Sequence, residues 1–180
     1  MRAFLLVPLL LVAATCAPIS EEACRGGDWR GIGFADGTKG RLLSVFDKYR
    51  ETCAEFGAVP VKQAYLAGRA AGLLQYCTPQ NAYSVGRSGD ALSPVCAAPQ
   101  LSAMRPAHAH GQSYYEYGQD IQQAESRVDE LRRELAQISA NPAPTQADTA
   151  RAAIILARVR DYQFDIRRFE RRQQRYSSWP

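Results

Sequence analysis

Residues 65–77, from Tyr65 to Cys77, read YLAGRAAGLLQYC. The pattern predicts a short helix with Gly68 and Gly72 four residues apart on one face. A glycine costs roughly 1 kcal/mol against alanine inside a helix, so a face carrying two of them is one against which something packs closely. Tyr65 stands three residues before Gly68, and the same step recurs at Tyr83-x-x-Gly86 and Tyr115-x-x-Gly118, more loosely from Trp29 to Gly33. A ring one turn before a glycine can lie over bare backbone. Trp29, Gly33, Gly37, Tyr65, Gly68, Gly72, Tyr83 and Gly86 are therefore read as a reused packing motif. The copies are irregularly spaced, which excludes a solenoid.

Working outward, Arg41–Phe56 places Leu42, Val45, Phe46, Tyr49 and Cys53 on one helical face and stops near Gly57 and Pro60. Ile32–Gly40 holds three glycines, and its Asp36-Gly37 pair is read as a turn. Thr78–Asn81 breaks the 61–76 helix. Tyr83–Gly89 then leads into a loop ending at Cys96, and Ala97–Gly111, with Pro99 and Pro106, reads as a linker or irregular edge.

The strongest periodicity follows. Ile121, Ala124, Val128, Leu131, Leu135 and Ile138 form a heptad seam within a helix from Gln112 to Ala140. Asn141–Pro144 stops it, and Thr145-Gln146-Ala147-Asp148 resembles a capping box for a second helix running to about Tyr176. Its apolar side carries Ile155, Val159, Tyr162, Ile166, Phe169 and Tyr176. A short connection between two seams implies an antiparallel pair, with Glu116 and Asp120 set near Arg167–Arg172. The fold class is mainly α: a small disulfide-stapled, glycine-rich helical core followed by a long antiparallel, coiled-coil-like hairpin. The expected organisation is 1–15 signal peptide, 16–111 core with linker, and 112–180 hairpin.

The first fifteen residues combine Arg2 with an apolar run too short to span a bilayer, the pattern of a secretory signal. Val12–Cys16 resembles a lipobox, with Thr15 a departure from the usual small residue, and predicts lipidation at Cys16 as the mature N-terminus. Cleavage to a soluble periplasmic product is the rival. Setting Cys16 aside leaves four cysteines, Cys24, Cys53, Cys77 and Cys96, an even set suited to an oxidising compartment. The charge of +4 falls to +3 once Arg2 leaves with the signal (21 basic against 18 acidic residues), too small and interspersed for a nucleic-acid partner.

The ordered set Cys24, Asp28-Trp29, Gly33, Asp36-Gly37, Gly40, Cys53, Gly57, Pro60, Tyr65, Gly68-Arg69, Gly72-Leu73, Tyr76-Cys77, Gly86-Arg87, Gly89 and Cys96 resembles the bacterial lipoprotein family known as domain of unknown function DUF2799. The resemblance covers about Cys24 to Cys96, or to Gly118 at its widest, and implies a cell-envelope location. It carries no activity, substrate or catalytic residue. Four cysteines allow three connectivities, of which the local pairing Cys24–Cys53 and Cys77–Cys96 is preferred. Loops of about 20–30 residues would each contribute roughly 3 kcal/mol in the chain-entropy account.

Chemistry-bearing residues are sparse. His108 and His110 are the two histidines and read as a solvated loop, so no metal and no cofactor are expected. Asp28 and Asp36 flanking Trp29 suggest a carboxylate pair acting on a glycan, although turn and cap roles for aspartate are commoner. Arg69 and Arg87 follow comparable glycines and are candidate ligand or partner contacts. The basic end Arg167–Arg175, with Phe169, Tyr176 and Trp179, is a candidate surface for an anionic membrane or a partner. Two readings of function follow. One is an exported envelope lipoprotein, anchored by its N-terminal lipid, that binds an envelope protein through the hairpin without catalysis. The other is a small glycan-binding or hydrolase module using Asp28, Trp29 and Asp36.

Overall fold

The computed structural model describes residues 19–180, all helix and connection, and the expected signal and Cys16 lie outside the described residues. A short helix α1 (Glu21–Gly26) precedes two crossed helix pairs. The first pair is α2 (Trp29–Thr38) and α4 (Lys62–Tyr76), with α3 (Val45–Glu55) folded between them in sequence. The second is α5 (Pro79–Arg87) against the first third of α6 (Ala98–Ser139). The remainder of α6 pairs with α7 (Gln146–Gln174).

Glycines set both crossings. A Cβ on Gly33 or Gly37 would collide with the Tyr65 or Arg69 carbonyl of α4, and one on Gly68 or Gly72 with the Arg30 or Phe34 carbonyl of α2. Two Gly-x-x-x-Gly faces thus meet backbone to backbone, the approach that small residues one turn apart permit. The second crossing repeats the Gly37–Gly72 half of the first, with Ala82 and Ala107 in the places of Gly33 and Gly68. Gly86 faces the His108 carbonyl and the Gln112 amide as Gly37 faces the Arg69 carbonyl and the Leu73 amide. Gly111 faces the Tyr83 carbonyl and the Arg87 amide as Gly72 faces the Phe34 carbonyl and the Thr38 amide. Even the turn after each first helix matches: Gly40 (φ 61°) lies under the Tyr76 ring, and Gly89 (φ 80°) under the Tyr115 ring. The chain is therefore a tandem repeat of one crossing unit, α2/α4 and α5/α6, with α3 inserted in the first copy.

Each unit has its own small core and its own disulfide. Cys24–Cys53, with Cα atoms 5.4 Å apart, sits among Trp29, Phe46, Tyr49 and Tyr65. Cys77–Cys96, with Cα atoms 5.7 Å apart, sits among Tyr76, Ala82, Tyr83, Met104 and Ala107. Both bridges tie the segment before a unit's first helix to the segment before its second. Tyr65 and Met104 hold equivalent places in the two units, and both are fully buried.

Several expectations are corrected. Asp36-Gly37 is no turn but lies inside α2, because Asp36 turns inward and Gly37 meets α4. Most of Tyr83–Gly89, to which the sequence pattern assigns no regular element, belongs to α5, capped by Thr78, whose hydroxyl accepts from the Asn81 amide at 3.2 Å. Ala97–Gly111 is no linker, since α6 already starts at Ala98. Pro99 falls in its first turn, where no backbone donor is missed. Pro106 removes one interior hydrogen bond on the exposed side, and burial of Met104, Ala107 and Gly111 against α5 outweighs the loss. Leu42 lies outside α3 and is 52% exposed. Nor do Tyr65 and Tyr83 lie over Gly68 and Gly86, which face neighbouring backbones. The rings that cover glycine are Tyr76 and Tyr115.

The hairpin seam is packed: Ala124, Val128 and Leu131 are buried against a side of α7 centred on Ile155. Thr145 and Asp148 exchange bonds as a capping box. The ion pair joining the two helices is Arg151–Glu134 at 2.6 Å, whereas Glu116 and Asp120 pair with no basic group among the described residues.

Candidate functional site

Two polar clusters stand out, one in each unit. In the first, Asp36 is the buried charged residue of the core, 4% exposed. The α2 helix aims it between α3 and α4, where Tyr65 Oη donates at 2.8 Å and Tyr49 Oη at 3.3 Å. The Arg41 guanidinium approaches the same carboxylate at 3.4 Å and donates to Tyr49 Oη at 3.0 Å. Burial, and then the hydrogen bond to Asp36, hold the Tyr65 phenol well above its ordinary range; Tyr49 is raised by burial and the Asp36 charge. Both phenols are thereby held as hydrogen-bond donors. A carboxylate flanked by two phenols and a guanidinium has its lone pairs occupied from within, an arrangement that positions helices.

The second unit places its polar groups on the opposite side of the crossing, where they grip the end of α7. Tyr83 Oη donates to the Tyr176 carbonyl at 2.7 Å, Arg87 to the Ser177 carbonyl at 3.5 Å, and His110 Nε2 to the Ser178 carbonyl at 3.0 Å. Three consecutive carbonyls beyond the last helical turn are thus satisfied by side chains of α5 and α6. Gln173 returns a bond to the Tyr114 carbonyl at 3.1 Å, the Arg87 guanidinium stacks 4.0 Å above the Tyr114 ring, and Trp179 packs on the core around Met104. The hairpin is thereby fastened to the repeat at its base. The histidines are helical and half-buried, each tied to a carbonyl, in place of the solvated loop expected for them. His108 bonds the Asp90 carbonyl as Arg69, its counterpart in the first unit, bonds the Arg41 carbonyl.

The residues singled out from sequence fall as follows. Asp28 is the exposed N-cap of α2, accepting from the Gly31 amide at 2.9 Å. Trp29 is 2% exposed, so neither ring face is open to a sugar. Asp28 and Asp36 therefore occupy different settings, surface and core. Arg69 turns toward Arg41 and leaves its Nε buried without a partner, whereas Arg87 faces Tyr114 and the C-terminal segment. These two arginines serve separate units. Gly33, Gly37, Gly68, Gly72 and Gly86 lie at the crossings, and Cys24, Cys53, Cys77 and Cys96 form the two disulfides. Among the described residues no three His, Cys, Asp or Glu side chains gather as a metal site, and no helix is long and apolar enough to cross a membrane. The clamp on α7 went unread, because backbone carbonyls have no sequence signal; the paired Tyr83 and His110 on facing helices were the only trace.

Residues 28–113 match the model of a family described as a protein of unknown function, DUF2799. The DUF2799 match opens at the N-cap of α2 and closes within α6 where the second crossing ends. It thus spans the tandem crossing units and leaves α7 outside. No curated protein and no solved structure matches the chain.

Proposed function

We propose that this is an exported cell-envelope protein, lipid-anchored at Cys16, that acts without catalysis by holding a helical arm out to a protein partner. The observation that carries the reading is the clamp of Tyr83, Arg87 and His110 on the end of α7. It fixes the base of the hairpin to a disulfide-stapled mount, while the outer stretch of α6 and the start of α7 pack on one another alone. An arm from Gly118 to Ser139 reaches about 33 Å at 1.5 Å per residue. Two disulfides suit an oxidising compartment and support export. Occupied lone pairs at Asp36 and a buried Trp29 weigh toward a mount and away from glycan chemistry.

A photo-crosslinking residue at Gln137 or Ile154, introduced in the intact envelope, tests the arm. The expected result is a discrete adduct from these two positions and none from Lys48 on the mount. Equal yields everywhere, or none from the arm, would refute the reading. Accumulation of an uncleaved precursor under globomycin is the matching test of the Cys16 anchor.

A further inference from the structure

The side of α7 turned away from α6 carries a feature that neither the clamp nor the hairpin seam uses. At 100° per residue, Arg160, Phe164, Arg167, Arg171 and Arg175 share an arc of about 80°, opposite the seam of Ile155, Val159, Tyr162 and Ile166. All five side chains are exposed, Phe164 to 55%. None of the four arginines forms an ion pair among the described residues, whereas Arg151 and Arg168 of the same helix do. The acids of this stretch fall elsewhere: Asp165 pairs with Arg168, and Asp161 and Glu170 project outside the arc. Leu156, 56% exposed, continues the stripe toward the tip. A solvated helix face ordinarily mixes signs and pairs them. This one presents cations alone for about 24 Å around a bare aromatic ring.

We infer that this stripe seats α7 lengthwise on an anionic phospholipid surface, with the arginines at the headgroups and Phe164 entering the boundary below them. Guanidinium groups form paired hydrogen bonds with phosphate, and a flat row of them fits a planar array of anions. An exposed aromatic within a row of arginines has the composition of a helix that lies in a membrane interface. The opposite side of α7 is already occupied by α6, so the helix can dock without unfolding or turning. Contact along the arm would hold it parallel to the bilayer, adding an electrostatic hold that needs no acyl chain.

The test uses the full exported chain carrying Cys16→Ser, with vesicles of phosphatidylglycerol in phosphatidylcholine against phosphatidylcholine alone. The readout is the ratio of the two partition coefficients, so any charge-independent contribution cancels. The expected result is a ratio well above one at low salt that declines as salt is raised. Combined Arg160→Gln, Arg167→Gln, Arg171→Gln and Arg175→Gln should lower it roughly tenfold or more. The same four charges removed as Arg30→Gln, Lys48→Gln, Lys62→Gln and Arg105→Gln should leave most of it. Phe164→Ala, which changes no charge, should weaken binding to the anionic vesicles alone. A ratio near one in the parent chain, or equal losses in the two charge variants, overturns the inference. So would salt-sensitive binding to polyglutamate without binding to the vesicles, which would reassign the stripe to an acidic protein. A melting curve for each variant confirms that these exposed substitutions leave the fold in place.

Discussion

Single atoms decide the crossings. Gly68→Ala drives a methyl group into the Arg30 carbonyl, a backbone atom that cannot yield unless α2 moves. The expected loss is about 3 kcal/mol, read as a lowered urea midpoint. Gly26→Ala serves as control, because nothing lies within 4 Å of its Cβ, and it should be neutral or stabilising by up to about 1 kcal/mol. Asp36→Leu strands the Tyr65 hydroxyl in the core, leaves Tyr49 only its bond from Arg41, and should cost about 2–3 kcal/mol. The Tyr65 phenol has a characteristic pH signature. Its folded-state pKa is raised above the ordinary 10.0, so its contribution is full below that pH and is lost as pH climbs above it. Tyr65→Phe removes the contribution, and the variant's stability should fall less steeply than the parent's in urea titrations above pH 10.

At the level of elements, the clamp makes the far end of α7 depend on α5 and α6. Tyr83→Phe deletes the donor to the Tyr176 carbonyl and should cost about 1 kcal/mol. Hydrogen exchange should then quicken over the last turns of α7 and leave α2 and α4 unchanged. A result in which α7 exchanges as before would show that the ring packing of Tyr176 and Trp179 on His110 fastens it alone. The other end of α7 depends on its capping box. The Thr145 amide, then the Thr145 hydroxyl, hold the Asp148 carboxyl below its usual value. That contribution is present above the ordinary carboxylate range and disappears as pH falls through the lowered value. Amides of the first turn should lose protection on acidification in the parent chain, and should show little further pH dependence in Asp148→Asn.

For the whole molecule, the tandem arrangement predicts divided stability. The two units meet at the end of α4, where Tyr76 and Leu73 join the second core, while the rest of each core and each bridge is its own. Cys77→Ser with Cys96→Ser removes about 3 kcal/mol of chain-entropy stabilisation. The loss should fall on α5, α6 and the clamped end of α7, with α2 and α4 keeping their exchange protection. A single cooperative transition with uniform loss of protection would show that the units fold as one.

Local and global information divide cleanly in this chain. The heptad seams of α6 and α7, the Thr145–Asp148 box, the helical face of Phe46, Tyr49 and Cys53 and the bare face of α4 were legible, because apolar periodicity and capping are local. The helices around Asp36-Gly37, Tyr83–Gly86 and Pro99–Gly111 were not. Glycine and proline mark breaks by their own propensities, and here the close approach of a second backbone outweighs that preference. The recurring tyrosine-to-glycine step showed that something was repeated but aligned the wrong partners. Equivalence lies in which carbonyl each glycine meets, as Gly37 with Arg69 and Gly86 with His108, and that pairing exists only after the helices cross. Residue order and periodicity by themselves determined a helical chain with two long paired segments. Only tertiary structure made α2/α4 and α5/α6 one motif used twice, put Asp36 out of reach of solvent and fastened α7 to its base. Each of those rests on contacts between residues distant in sequence, where packing and buried hydrogen bonds overrule what neighbours in the chain prefer.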